Sequence, residues 1–300
     1  MTGMGALDGR VAIITGAGRG LGREHALLFA YEGAKVVVND LGSAPDGAGA
    51  DEDPAHEVVA EIVATGGEAI ASVHDVADWE QSQAMINMAI EHFGDLHILV
   101  NNAGILRDRM LVNMTEREWD DVVRVHLRGH FMPMRWAAAY WREQFKGGHH
   151  VSGSIINTSS TSGLMSNPGQ TNYGAAKTGI ATLTEIAHKE LSRYGVRCNA
   201  IAPAALTRLT DGLRPDAPTL ATGEFDPRDP ANVSPFIAYL ATESCPLSGK
   251  VFFIRGSGVH LMQPYTFIDR IDTDGRWEIG DLAEAAEKWA DVTFSYELPT

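Results

Sequence analysis

The stretch VAIITGAGRGLGREHA, residues 11–26, decides the fold of this chain. An apolar run leads into a glycine-rich turn and then into a helical pattern, the context in which a glycine motif is meaningful. The glycines do not fit G-x-G-x-x-G strictly, because counting from Gly16 the last position is Leu21. They fit T-G-x-x-x-G-x-G, with Gly16 at the exit from the strand, Gly20 where a diphosphate approaches, and Gly22 where helix and strand pack closely.

This turn predicts a dinucleotide site, because the backbone N–H groups and the positive dipole end of the following helix attract a pyrophosphate. Asp40 follows the second apolar run, KVVVN, near the spacing of about 20 residues at which an acid bonds the ribose 2′-OH of NAD. A carboxylate at this position repels the 2′-phosphate of NADP. Arg19, inside the turn, is an alternative partner for that phosphate, but Asp40 lies nearer the 2′ oxygen, so we expect NAD.

Short apolar runs alternate with longer helical patterns along most of the chain. Nearly continuous apolar runs are typical of strands covered on both faces in a parallel sheet. The predicted strands are Val11–Thr15, Lys35–Asn39, Glu68–Val73, Leu96–Asn101, Ser154–Thr158, Val196–Ile201 and Val251–Ile254. The predicted helices are Gly20–Tyr31, Ala55–Thr65, Trp79–Phe93, Glu116–Phe145, Tyr173–Tyr194 and Ala231–Thr242. This order predicts an α/β fold, a Rossmann-type doubly wound parallel sheet in a single domain with a C-terminal extension.

Three segments interrupt this alternation. Leu41–Ala55 is rich in Gly, Pro and acids, Pro203–Pro230 is a long Pro-rich excursion, and the chain after about Gly258 lies beyond the last predicted strand. Loops of this length inside a compact domain are usually functional or disordered. The tail contains IGDLAEAAEKWADV, residues 279–292, which has the apolar spacing of a short amphipathic helix. This helix either helps to shape a substrate pocket or only adds surface stability.

The charge balance limits the kinds of partner that the protein can bind. The chain has 24 Lys and Arg against 39 Asp and Glu, a formal net charge of −15, which repels nucleic acid and anionic membrane surfaces. Cys198 and Cys245 show neither a disulfide framework nor metal spacing, and His149 and His150 are interpreted as a solvated loop, so no metal site is predicted. The chain has no signal-peptide pattern and no run of about 18 apolar residues, so we expect a cytoplasmic protein without nucleic-acid or membrane partners.

The segment TNYGAAK, residues 171–177, places Tyr173 and Lys177 four residues apart, on one face of a helix. In isolation this is an ordinary pair in which a Tyr packs on a Lys stem. A free phenol has a pKa of about 10 and is a poor base at pH 7. A neighbouring ammonium and an oxidised nicotinamide would both lower that pKa. Given the glycine turn upstream, we interpret the pair as a proton donor and acceptor beside a hydride carrier.

Four motifs in a fixed order extend this interpretation: TGAGRGLG, NNAG at residues 101–104, INTSS at 156–160 and YGAAK at 173–177. Together they make the chain resemble the short-chain dehydrogenases/reductases over residues 8–258, which leaves 259–300 as the extension. Longer stretches, VVVNDLG, NNAGILRDRM, VHLRGHF and CNAIAP, resemble the (3R)-hydroxyacyl-CoA dehydrogenase domain of peroxisomal multifunctional enzyme type 2 and its bacterial relatives.

The resemblance implies an NAD-dependent oxidoreductase that interconverts a secondary alcohol and a ketone, namely (3R)-3-hydroxyacyl-CoA and 3-oxoacyl-CoA. A hydroxysteroid or a sterol side-chain CoA ester is the alternative substrate. A hypothesis of another class is a non-catalytic NAD-binding regulatory module, suggested by an unusual His126 and by the tail. The complete set of Ser160, Tyr173 and Lys177 argues against this module.

The resemblance also assigns roles to residues. Ser160, rather than Ser159, is expected to hydrogen-bond the substrate oxygen, Tyr173 to transfer the proton, and Lys177 to support Tyr173 and hold the nicotinamide ribose. His126 stands where the family has an Asn that carries a proton relay, so it is either a relay or a packing residue. The expected cofactor contacts are Gly16, Arg19, Gly20, Leu21, Gly22, Asp40, Asp75, Val76, Asn102, Tyr173, Lys177, Pro203, Ala205 and Thr207.

Two further expectations concern the phosphates of an acyl-CoA and the assembly. Because the chain is acidic, an acyl-CoA needs local cations, and Arg107, Arg109 and Arg208 are the candidates. The apolar faces of the predicted helices Glu116–Phe145 and Tyr173–Tyr194 predict a homodimer or homotetramer, since such helices pack against symmetry mates in the family.

Overall fold

The computed structural model describes residues 5–44, 46–47, 49, 53–206, 224–263 and 265–292. Within these residues the strands are β1 Val11–Thr15, β2 Lys35–Asn39, β3 Glu68–Ser72, β4 Ile98–Asn101, β5 Gly153–Thr158, β6 Val196–Ala204, β7 Val251–Arg255 and β8 Gly258–Met262. They form one sheet in the order β3-β2-β1-β4-β5-β6-β7-β8. The first seven strands pair in parallel, and β8 pairs antiparallel with β7. The predicted fold class is confirmed.

Helices cover both faces of this sheet. Their bounds are α1 Gly20–Tyr31, α2 Asp53–Ala64, α3 Trp79–Phe93, α4 Glu116–Val123, α5 Gly129–Lys146, α6 Thr171–Leu191 and α7 Ser234–Ala241. A further helix, α8 Ile279–Ala286, lies in the C-terminal part of the chain. Alternate residues of β1 enter opposite cores: Ala12 and Ile14 pack with α1, α2 and α7, whereas Val11 and Ile13 pack with α3, α5 and α6. Burial on both faces explains the continuous apolar runs of the sequence.

Two predicted elements differ from the structure. The helix expected at Glu116–Phe145 is divided into α4 and α5 by a π-helical turn, Arg124–Arg128. Pro133 lies inside α5 and cannot donate a backbone hydrogen bond, and this wider turn lies one turn before it. The chain after Gly258 does not lie beyond the last strand, because Gly258–Met262 forms β8. Val259 and Leu261 of β8 are exposed, so this strand has no buried apolar pattern to mark it.

The chain divides into two compact units, Met1–Met262 and Gln263–Thr300, and the predicted boundary at residue 258 stays a prediction. In the second unit the predicted helix is present as α8, and Lys288 Nζ and Trp289 Nε1 contact Asp269 Oδ2 at 2.7 and 2.8 Å. Tyr265 is 83% exposed. The role of this unit beside the substrate stays a prediction.

Membrane-spanning helices and metal clusters are both absent from the described residues. None of their helices combines the length and apolarity that crossing a membrane requires. They also contain no cluster of three or more His, Cys, Asp or Glu side chains that could hold a metal ion.

Candidate active site

A cleft opens at the carboxyl edge of the sheet, where β1 and β4 are neighbours and the strand order reverses. Parallel α/β sheets bind ligands at such a switch point. The cleft has an empty volume of about 1040 Å³, including its open mouth. Predicted cofactor contacts that line it are Gly16, Arg19, Gly20, Leu21, Asp40, Asp75, Val76 and Asn102. The structure therefore brings the glycine turn, the acid after β2 and the residues after β3 and β4 to one site.

The floor of the cleft is bare backbone because side chains cannot fit there. Gly16 has φ +62°, and a Cβ on it would lie 2.7 Å from Ala103 Cα. A Cβ on Gly22 would lie 2.1 Å from the carbonyl oxygen of Gly16. Gly22 thus lies behind the turn and supports it, while α1 begins at Gly20 with its unpaired first N–H groups. This arrangement fits a pyrophosphate on the helix N-terminus.

Asp40 is held in place by two backbone amides. Its Oδ2 accepts a hydrogen bond from Gly18 N at 2.8 Å, and its Oδ1 accepts one from Gly42 N at 2.7 Å. These bonds fix the carboxylate at the wall of the cleft. A negative charge is therefore already positioned before any ribose arrives.

Asp75 and Asn102, two of the expected cofactor contacts, have protein partners of their own. Asp75 accepts hydrogen bonds from Ala77 N at 2.8 Å and from the guanidinium of Arg124, which also lines the cleft. Asn102 Nδ2 donates to the carbonyl oxygens of Thr15 at 3.1 Å and Gly16 at 3.0 Å. Asn102 thus stabilises the glycine turn, in addition to lining the cleft.

Ser160, Tyr173 and Lys177 meet beyond the end of β5. Lys177 is 2% exposed, its Nζ donates to the carbonyl oxygen of Thr158 at 2.5 Å, and it lies 5.4 Å from the centre of the Tyr173 ring. The side chain of Ser160 lies near enough to Tyr173 to lower the pKa of its phenol, whereas Ser159 donates a hydrogen bond to the carbonyl oxygen of Lys177 at 2.8 Å. Of the two serines, Ser160 is therefore the one beside Tyr173.

The pKa of Tyr173 is set mainly by burial. Burial raises it to about 12; the hydrogen bond with Ser160 lowers it, and the charge of Asp108 raises it further. Burial also lowers the pKa of Lys177 to about 7, because the ammonium loses its water. Desolvation thus dominates the tyrosine pKa in the protein without its cofactor, and the lowering expected in the cofactor complex stays a prediction.

His126 lies in the π-helical turn and is 2% exposed. Its Nε2 lies 2.7 Å from the carbonyl oxygen and 3.1 Å from the N of Ile105, and its ring meets the Tyr173 ring edge-on, with centres 5.0 Å apart. A Cβ on Gly104 would lie 2.4 Å from His126 Cε1, which explains the glycine of NNAG. Burial and the charge of Lys177 lower the pKa of His126 well below its usual value. A neutral His126 therefore fixes the backbone beside Tyr173, and its relay role stays a prediction.

Asn172 positions the start of α6 and was missed in the sequence. It is fully buried, its Oδ1 accepts from Tyr173 N at 2.8 Å, and its Nδ2 donates to the carbonyl oxygens of Arg107 at 3.1 Å and Glu118 at 2.9 Å. Its place directly before the tyrosine is only weak evidence for a buried positioning role, because Asn is also common at solvent-exposed helix starts.

The remaining predicted residues lie elsewhere. Arg107 and Arg109 form ion pairs with Asp121 and Glu118 at 3.1 and 3.0 Å, so both cations already have carboxylate partners. Pro203 pairs with Ile254 in the sheet, and Ala205 packs against the core near α7. Among the described residues that line the cleft, neither Pro203 nor Ala205 is present. The last two predicted residues, Thr207 and Arg208, lie outside the described residues.

Comparisons with known proteins agree on one family. A family model described as short chain dehydrogenase matches residues 10–218. Hydroxyacyl-CoA dehydrogenase ChsB1 of Mycobacterium tuberculosis is 43% identical over 92% of this chain and 87% of that protein. Peroxisomal multifunctional enzyme type 2 of Drosophila melanogaster is 45% identical over 85% of this chain but only 42% of that protein. The crystal structure of a short chain dehydrogenase from Mycobacterium avium superposes with a TM-score of 0.86 at 49% identity, covering 95% of each chain.

Proposed function

We propose, from the premise that this chain belongs to the short-chain dehydrogenase family, that it interconverts (3R)-3-hydroxyacyl-CoA and 3-oxoacyl-CoA with NAD. Membership makes the chain an oxidoreductase that acts on an alcohol with a nicotinamide cofactor. The observation that carries the proposal is the meeting of Ser160, Tyr173 and Lys177 near a cleft that holds Asp40. The names of the relatives, hydroxyacyl-CoA dehydrogenase and peroxisomal multifunctional enzyme, support the substrate class.

Ser160 and Tyr173 each have one chemical task. Ser160 donates a hydrogen bond to the substrate oxygen and holds it beside Tyr173. Tyr173 accepts the proton of the alcohol during oxidation and returns it during reduction. When bound, the oxidised nicotinamide supplies the acceptor for the hydride that leaves the carbinol carbon.

Lys177 makes proton transfer possible near neutral pH. The pKa of Lys177 is about 7 and that of Tyr173 about 12, so the pair loses its first proton near neutrality. The state with one proton removed is shared between neutral Lys177 with phenolic Tyr173 and charged Lys177 with phenolate Tyr173. A positive charge nearby favours the phenolate form, which is the base that oxidation requires.

A substrate panel tests the proposal. NADH formation is followed with (3R)-3-hydroxyacyl-CoA, its (3S) isomer, a hydroxysteroid and a sterol side-chain CoA ester, each with NAD. We expect the (3R) ester to give the highest kcat/KM. If only the hydroxysteroid were turned over, the substrate class would be steroids and not acyl-CoA esters. No turnover with any alcohol would favour a non-catalytic module.

Cofactor preference is expected to depend on Asp40. Replacing Asp40 with Ala removes the negative charge beside the ribose, so the ratio of kcat/KM for NADP to that for NAD should rise at least about tenfold, or about 1.4 kcal/mol. Asp40→Asn is the matched variant, because it removes the charge at nearly the same volume. A wild-type preference for NADP would contradict the assignment and would favour Arg19 as the partner of the 2′-phosphate.

The assembly is proposed to be a homodimer or homotetramer through α5 and α6. A groove along these helices is lined by apolar and charged side chains, and its Phe131 and Ile186 are 44% and 46% exposed. Light scattering at micromolar concentration should give at least twice the mass of 32.4 kDa. Phe131→Glu should shift this mass toward the monomer, whereas a wild-type monomer would contradict the proposal.

A further inference from the structure

The residues after β3 form one end of the cofactor cleft. In the sheet order β3-β2-β1-β4-β5, Asp40 follows β2 and the glycine turn follows β1, whereas Tyr173 lies on the other side of the switch point, beyond β5. A dinucleotide with its adenosine ribose on Asp40 and its nicotinamide beside Tyr173 therefore has its adenine toward β3. His74, Asp75 and Val76, which follow β3, line the cleft at that end.

This segment is held from two sides. Asn39, at the end of β2, is 2% exposed, and its Nδ2 donates to the carbonyl oxygen of His74 at 2.9 Å. On the other side, a Cβ on Gly129 would lie 2.9 Å from Val76 Cγ2, so the glycine at the start of α5 allows a close approach. The backbone beside Asp75 is thus fixed by β2 and by α5.

Arg124 reaches the same end of the cleft from the π-helical turn, of which it is the first residue. Its guanidinium forms an ion pair with Asp75 Oδ2. Asp75 is itself oriented, because its Oδ1 accepts from Ala77 N at 2.8 Å and its N–H donates to Gln81 Oε1 at 3.0 Å. The side chain of Asp75 is 18% exposed and that of Arg124 is 47% exposed. The ion pair therefore holds the guanidinium at the cleft and leaves part of its surface uncovered.

We infer that Arg124 binds the adenine of the dinucleotide through the plane of its guanidinium, and that Asp75 positions it; this rests on the proposed function, which makes the cleft a dinucleotide site. A guanidinium is planar and weakly hydrated, and it stacks on the faces of π systems, including nucleobases. The pair with Asp75 restricts the side chain beforehand, so less side-chain freedom is lost when the base binds. Because Asp75 already balances its charge, Arg124 offers the base a flat surface and is not the partner of a phosphate.

Two ligands that share the adenosine half test the assignment. Arg124→Met keeps an unbranched side chain and removes the guanidinium. We expect this variant to raise the Kd of NADH about 3- to 10-fold, measured by fluorescence titration. ADP-ribose contains the adenosine half but no nicotinamide, so its Kd, measured by displacement of NADH, should rise by the same factor.

Two further variants separate stacking from a change in net charge. Arg128 lies at the other end of the same turn, is exposed and does not line the cleft, so Arg128→Met should change the Kd of NADH less than about twofold. Asp75→Asn releases the guanidinium from its position. In that background Arg124→Met should cost less than it costs beside Asp75, because the two residues act together.

Four results would each overturn the inference. They are an unchanged Kd of NADH in Arg124→Met, an equal effect of Arg128→Met, a loss for NADH that ADP-ribose does not share, and full additivity of Arg124→Met with Asp75→Asn. A larger loss for NADPH than for NADH would assign Arg124 to the 2′-phosphate and overturn it as well. A wild-type protein that binds no NADH would overturn the proposed function instead, and the inference with it.

Discussion

Replacing Tyr173 with Phe should lower the rate of NADH formation at least about a thousandfold and leave NADH binding in place. The substitution removes only the phenol oxygen, which in the proposed function accepts the substrate proton. General acid–base groups typically contribute about 10² to 10⁴ to the rate, and the neighbouring His126 is buried and neutral, so it does not replace the phenol. Initial rates and an NADH fluorescence titration give the two quantities.

Tyr140→Phe is the matched control for this substitution. Tyr140 lies on α5 and its hydroxyl donates to Asp95 Oδ1 at 2.8 Å, away from the cleft. Tyr140→Phe also loses a phenol oxygen, so an effect of protein stability alone would lower the rates of both variants. A Tyr173→Phe variant that keeps a tenth or more of the wild-type rate would show that the hydroxyl does not transfer the proton.

Replacing Lys177 with Met should lower turnover at least about a hundredfold and weaken NAD binding at the same time. Met fills a buried position with an unbranched chain but removes the charge that supports the phenolate. In the wild type, the rate of oxidation should rise as the pH passes about 7, where the pair loses its first proton. In the variant the tyrosine titrates without the ammonium, and burial keeps its pKa raised, so the rise should move to much higher pH.

Lys189→Met provides the comparison on the same helix. Lys189 lies in the last turn of α6 and is exposed, so its loss removes an equal charge far from the buried pair. An unchanged pH profile in Lys177→Met would contradict the role given to Lys177. A profile shifted equally in both variants would indicate an effect of net charge alone.

The parts of the fold that the sequence predicts are those with a local signal. Parallel strands buried on both faces appear as apolar runs, and the glycine turn at Gly16 follows such a run directly. β8 lacked this signal because its larger apolar residues Val259 and Leu261 are exposed, although the two residues Gly256 and Ser257 between β7 and β8 are typical of a hairpin. The π-helical turn could not be predicted from the sequence, because it does not interrupt the apolar pattern of the helix.

The site was predictable as a set of residues but not as a set of contacts. Motif order places Ser160, Tyr173 and Lys177 together, yet the buried hydrogen bonds of Asn172 join segments that lie far apart in the chain. The raised pKa of Tyr173 in the protein without cofactor was not predictable for a related reason. Its direction depends on desolvation by the surrounding fold, which spacing along a helix does not report.

The most direct test of the account is a single assay of hydride transfer. Wild-type protein is mixed with NAD and a (3R)-3-hydroxyacyl-CoA, and NADH absorbance is followed beside the same reaction with Tyr173→Phe. The account predicts rapid NADH formation by the wild type and none above background by the variant over the same time. Equal NADH formation by both proteins, or no NADH from a wild type that binds the cofactor, would contradict it.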